Sequence, residues 1–235
     1  MRLSRTFRDQ HIQHELRTFG RKNGYVTKGQ EERLARWLPK IGLPRGATLA
    51  QSGLDPSVPV VMEIGFGNGD FLVHLARTHP EWSLVGVEIY LPGVAKAVSR
   101  LEAANALERV RISQLPAQFV LQEQVAEGQL HGVYINHPDP WPKVRHHKRR
   151  LIQKDFAHLL VSRLEFGGFI RLATDIPDLA EWMRGILDKT PGLKNVAGNR
   201  GYVSRDPARP QTKFEQRGMS VGRNSMFLQY IKSKS

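Results

Sequence analysis

The sequence predicts an α/β fold, a mostly parallel sheet with helices on both faces and an antiparallel strand at its edge. Three observations predict it. From Val58 onward, short apolar runs of strand length alternate with stretches of helical spacing, so successive βα units follow one another. The first of these runs, Val58 to Ile64, is apolar almost throughout rather than alternating, as in a strand covered on both faces. At 235 residues with 40% hydrophobic content, the chain is long enough for one large domain with a proper core.

The elements follow in order. Residues 1–27 carry Arg2, Arg5, Arg8, Arg17, Arg21 and Lys22 against only Asp9 and Glu15, without a sustained apolar period, and are expected to form a flexible basic arm. Residues 28–57 are a helix and a linker: Lys28 to Leu38 has helical spacing through Leu34, Trp37 and Leu38, and Pro39 to Pro44 with Gly42 ends it. Residues 58–235 form the main domain. Its predicted strands are Val58 to Ile64, Ser83 to Ile89, Val110 to Leu115, Gly132 to Asn136 and Phe169 to Thr174, with Ser225 to Ile231 as the antiparallel edge. Its predicted helices are Asp70 to Arg77, Pro92 to Ala106, Gln118 to Ala126, Leu151 to Leu164 and Asp178 to Leu187.

The formal net charge of +13 favours a polyanionic partner, nucleic acid before an anionic membrane. No run approaches the ~18 consecutive apolar residues of a membrane span, and the N-terminus has no apolar signal core, so the expectation is a cytoplasmic protein. The absence of cysteine excludes disulfides and thiolate metal sites.

Two stretches carry chemistry. Glu63-Ile-Gly-Phe-Gly-Asn-Gly-Asp70 puts Gly65, Gly67 and Gly69 at the turn between the first strand and the first helix, where the backbone can bend sharply and a ligand can approach it. A dinucleotide fingerprint would require a third glycine at position 70, occupied here by Asp70. Glu88, closing the second strand, can accept hydrogen bonds from both ribose hydroxyls of an adenosine group. The second stretch is Tyr134 to Leu151, which reads YINHPDPWPKVRHHKRRL. Pro138, Pro140 and Pro142 end the fourth strand and display Asp139 and Trp141 on a stiff loop, and a run of cations follows. At a topological switch point the tips of the first, fourth and fifth strands open on one crevice, which would make Glu63, Asp139 and Asp175 neighbours. His137, His146 and His147 have no carboxylate at ligand spacing, so no metal site is expected.

The E-x-G-x-G-x-G turn with an acid ending the second strand resembles the Rossmann-like class I methyltransferase fold, which binds S-adenosylmethionine. Asn136-His-Pro-Asp-Pro-Trp-Pro-Lys143, Arg145-His-His-Lys-Arg-Arg150, Thr174-Asp175 and Thr212-Lys-Phe-Glu215 with Arg217-Gly218 together resemble one family closely, the bacterial tRNA (guanine-N7-)-methyltransferases. The resemblance implies methyl transfer from S-adenosylmethionine to N7 of a guanine in the variable loop of tRNA, position 46. It places Glu63, Gly65, Gly67, Gly69 and Glu88 on the cofactor and makes Asp139 the catalytic carboxylate. Lys143, Asp175, Thr212, Lys213, Phe214 and Glu215 would face the substrate, and Arg145, His146, His147, Lys148, Arg149 and Arg150 the RNA. Two departures stand out: His137 where the family commonly has an aromatic, and Leu115-Pro-Ala117 where it carries an acid or amide for the adenine. A fold retained for RNA binding alone, or methylation of an exocyclic amine, are the competing functions. The sequence does not decide between a monomer and a homodimer.

Overall fold

The computed structural model describes residues 24–198 and 201–234, apart from the side chains of residues 213 and 214. Most of the expected basic arm, residues 1–23, lies outside the described residues. The chain divides into two compact units, Met1–Ala126 and Glu127–Ser235.

In the first unit, α1 (Lys28–Ile41) opens with a capping box in which the Thr27 side chain accepts from Gln30 N and the Gln30 side chain accepts from Thr27 N. The helix continues past the predicted stop, with Pro39 inside its last turn. One proline there removes a single intrahelical bond, and the Gly42 N–H still reaches Leu38 O. Trp37 Nε1 and Arg33 Nε donate to Glu102 of α3 (Leu91–Ala103) at 2.9 and 3.2 Å, joining the two helices. Strands β1 (Val60–Ile64), β2 (Ser83–Val87) and β3 (Val110–Ser113) pair in parallel in the order β3-β2-β1. Their residues are buried almost without exception, which requires cover on both faces and explains why they read as continuous apolar runs. α2 (Asp70–Thr78) follows β1. The expected helix Gln118 to Ala126 is instead one α-turn, Ala117–Phe119, running into a π-turn, Val120–Gln124. Gln124 is buried there and donates to Pro44 O at 2.7 Å.

In the second unit β4 (Leu130–Asn136) pairs in parallel with β5 (Leu164–Thr174), and β5 pairs antiparallel with β7 (Met226–Lys232). The expectation of β7 as the edge is corrected by β6 (Leu193–Asn195), a three-residue strand on its outer side too short to show a periodicity. β5 begins five residues before the predicted Phe169, with Gly167 in the left-handed region at φ 81°. α4 (Lys154–Arg163) starts three residues later than predicted, because Arg150 to Gln153 are held in another conformation by contacts described below. α5 (Pro177–Leu187) lies as predicted, and α6 (Lys213–Ser220) was not predicted.

Candidate active site

Gly65, Gly67 and Gly69 take φ of 76, 56 and 76°, the left-handed region in which a Cβ is strained. Their surroundings divide them. Among the described residues a Cβ at Gly65 or Gly67 would meet nothing within 4 Å, whereas one at Gly69 would lie 2.5 Å from the Ala97 Cβ of α3. All three N–H groups are engaged: Gly65 N donates to Val87 O at 2.8 Å, Gly67 N to Glu88 and Gly69 N to Phe66 O at 2.9 Å. Among the described residues, Gly65 and Gly67 thus leave the backbone uncrowded, while the third glycine lets α2 and α3 pack closely. Glu88 accepts from Gly67 N and Tyr90 N, one bond on each oxygen at 2.9 Å, which fixes its carboxylate against the turn. Glu63 is buried at the end of β1, two residues before the turn.

The proline loop of the second unit is held in an unusual shape. His137 and Trp141 have φ of 48 and 43°, rare for residues with bulky side chains, and such conformations cost about 1–3 kcal/mol each unless the surroundings impose them. Between them Asp139 has no hydrogen-bond or ion-pair partner among the described residues. Although it reaches solvent, desolvation by the loop around it pushes its carboxyl above the ordinary aspartate value. An acceptor held rigidly and left without a donor is poised for a ligand.

The groups beside this loop are, by contrast, engaged with one another. Asp175, just after β5, pairs with Arg223 Nε at 2.9 Å and faces His137 Nδ1 at 3.4 Å. Gly218 of α6 packs so closely that a Cβ there would sit 2.9 Å from Asp175 Oδ2, which accounts for the glycine of the R-G pair. Thr212 and Glu215 form the capping box of α6: the Thr212 side chain accepts from Glu215 N, and Glu215 Oε2 accepts from Thr212 N at 2.7 Å. The other Glu215 oxygen takes Arg209 Nη1 at 2.6 Å, and Arg209 Nη2 donates to Asn136 Oδ1 at 2.8 Å, tying α6 to the tip of β4. Burial pushes the Glu215 carboxyl up, but the Thr212 N–H and Arg209 outweigh it and hold it below the ordinary range. Burial lowers the His137 value against the pull of Glu215 and Asp175. Thr212 and Glu215 are thus engaged with each other and with Arg209 beside the loop. The side chains of Lys213 and Phe214 lie outside those described. Arg209 and Arg223, which link these parts, lie outside every motif named from the sequence.

The basic run splits in the same way. It forms a 3₁₀ segment, Val144–Arg149, in which Arg145 and Lys148 are exposed, as is Lys143 before it. His146 is half-buried, and burial followed by the neighbouring cations lowers its pKa. His147 packs edge-on against Trp182 at 5.3 Å, and the Arg149 guanidinium lies 5.1 Å from the Trp141 ring. Arg150, expected to face the RNA, is by contrast 2% exposed, and its side chain points into the protein. Among the described residues no three His, Asp or Glu side chains gather as a metal site, and no helix is long and apolar enough to cross a membrane.

Comparison with known proteins agrees with this arrangement. Residues 57–228 match the family model described as "Putative methyltransferase". A tRNA (guanine-N(7)-)-methyltransferase of Alkalilimnicola ehrlichii is 41% identical over 221 residues, covering 92% of each chain. The protein of the same name from Xylella fastidiosa strain M12 is 40% identical over 230 residues, covering 97% of this chain and 94% of its own. The crystal structure of the 16S rRNA methyltransferase KamB superposes with a TM-score of 0.57 at 14% identity, over 81% of this chain and 96% of that one, so the two share a fold. At about 40% identity over nearly the whole of each chain, the protein belongs to the tRNA (guanine-N7-)-methyltransferase family.

Proposed function

We propose that this protein transfers the methyl group of S-adenosylmethionine to N7 of a guanine in tRNA, at position 46 of the variable loop, in the cytoplasm. The observation that carries the reading is Asp139, a solvent-reaching carboxylate without a hydrogen-bond partner among the described residues, on a loop whose two ends are strained. S-adenosylmethionine, when bound, supplies an electrophilic methyl on a sulfonium sulfur. The residues present fit it: among the described residues nothing crowds the Cα of Gly65 or Gly67, and the Glu88 carboxylate is fixed against the same turn, the residue type that binds ribose hydroxyls. Glu63 adds a buried carboxyl beside the turn.

Guanine N7 has an in-plane lone pair and no proton, so a strong base is not required and positioning is most of the work. Methylation makes the purine cationic. Asp139, ionised and fixed, stabilises that developing charge and accepts hydrogen bonds from the guanine edge. Exposed Lys143, Arg145 and Lys148 neutralise phosphates of the RNA.

The test is incubation of the protein with methyl-labelled S-adenosylmethionine and unmodified tRNA, followed by nucleoside mapping. Label as 7-methylguanosine at position 46 is expected. Label on an exocyclic amine would move the chemistry to the competing methyltransferase reading, and tRNA binding without any label would leave only an RNA-binding role.

A further inference from the structure

Arg150 belongs to the basic run by sequence, but none of its side-chain surface is exposed. Its guanidinium faces three elements. Nε donates to the carbonyl of Pro140, the residue after Asp139, at 3.0 Å. Nη2 meets His147 Nε2 at 2.9 Å and pairs with Asp178 in the first turn of α5. The group also lies 5.0 Å from the Trp182 ring of the same helix. Its backbone is fastened as well: Gln153 Nε2 donates to His147 O at 2.8 Å and to Arg150 O at 3.0 Å, and Trp182 Nε1 donates to Ile152 O at 2.8 Å.

The proline loop needs such an anchor. A strand end holds its first strained residue, since His137 N donates to Ala173 O at 2.7 Å. Its second strained residue, Trp141, comes directly after the carbonyl that Arg150 grips. Proline supplies no N–H, so Pro138, Pro140 and Pro142 cannot be tethered as donors, and a carbonyl is the handle that remains. A guanidinium suits the task because its planar fork can reach the loop carbonyl and the helix carboxylate together; an ammonium is a single point donor.

We infer that Arg150 is a positioning residue, which fixes Asp139 through the Pro140 carbonyl and contacts neither RNA nor cofactor. The inference rests on the catalytic role proposed for Asp139. It makes a claim that a merely structural arginine would not satisfy: the kinetic effect of Arg150 must pass through Asp139. The test is a double-mutant cycle with Arg150→Lys and Asp139→Asn, reading single-turnover methylation of tRNA and, separately, KM for tRNA and Kd for S-adenosylmethionine.

Arg150→Lys alone is expected to lower the methylation rate roughly 10- to 100-fold, as misplacement of a reacting group by about an ångström does, with KM and Kd within about twofold of wild type. In the Asp139→Asn background the same change is expected to cost less than about twofold. Multiplicative losses, or a rise in KM in place of a loss of rate, would overturn the inference. A full rate from Asp139→Asn would overturn the catalytic role first, and with it anything Arg150 could position. Asp178→Asn tests the same tether from an exposed residue that folding tolerates: it is expected to slow methylation several-fold at unchanged KM, and an unaltered rate counts against the tether.

Discussion

Asp139 and Glu215 are both acids inside motifs that resemble one family, both in the second unit and both beside residues that open a ligand site in the sequence reading. The structure treats them in opposite ways. Glu215 is 3% exposed and gives one oxygen to the Thr212 amide and the other to Arg209. Asp139 reaches solvent and has no donor among the described residues. One carboxyl is held below its ordinary value by its partners and the other is raised by desolvation. The difference teaches that a motif reports which residues a site needs without saying which of them touch the ligand. An acid whose hydrogen bonds are all internal braces the site, and one without partners is left to act on the substrate.

The largest expected effect comes from the acid without partners. Asp139→Asn should reduce single-turnover methylation by about two to three orders of magnitude, the usual loss for one preorganised electrostatic group. Stability should move the other way. A folded-state pKa above the unfolded value penalises the charged form; the penalty is absent below the ordinary value of 3.8 and complete above the folded value. At neutral pH the asparagine variant is therefore expected to melt at or slightly above the wild-type temperature. A clearly lower Tm by calorimetry would show that Asp139 braces the fold after all. The acid limb of kcat should also lie above 3.8, since the rate falls as Asp139 gains its proton.

Glu215→Ala is the mirror experiment. It leaves Arg209 buried without its ion pair, and breaking such a pair costs about 3 kcal/mol or more, readable as a lower urea midpoint. Cofactor affinity should be unchanged. Because the folded pKa is lowered, this contribution is present above the ordinary glutamate value and lost as pH falls through the folded one. If Glu215→Ala instead kept full stability and raised KM for tRNA, the contrast between the two acids would collapse.

Thr212→Ala removes only the other half of the capping box and should cost about 1 kcal/mol in the same unfolding experiment. The smallest effects belong to the exposed cations. Arg145→Ala and Lys148→Ala are each expected to weaken tRNA binding several-fold and to flatten the slope of log affinity against log salt by about one. Unchanged slopes for both would remove this segment from the RNA interface.

Legibility in the sequence followed the same division. The positions of the five main parallel strands, the glycine turn and the proline loop could be read because each rests on local rules: apolar continuity, left-handed φ, and the missing N–H of proline. β6 and α6 were not read. A three-residue strand has no period to detect, and α6 is a helix of eight residues in a polar segment whose box motif had been assigned to substrate. The basic run was legible as charge but not as direction. Arg145 and Arg150 look alike in sequence, yet one is exposed and the other is closed around a carbonyl and a carboxylate.

By itself, then, the sequence determined the α/β succession, the family and the identity of the chemical groups, because backbone preference and residue type are local properties. Only the tertiary structure decided which of those groups remain without partners. That depends on where distant segments converge: Arg209 reaches Asn136 across 73 residues, and Arg150 reaches Asp178 across 28. A hydrogen bond is satisfied or left open by such encounters, and no pattern along the chain records them.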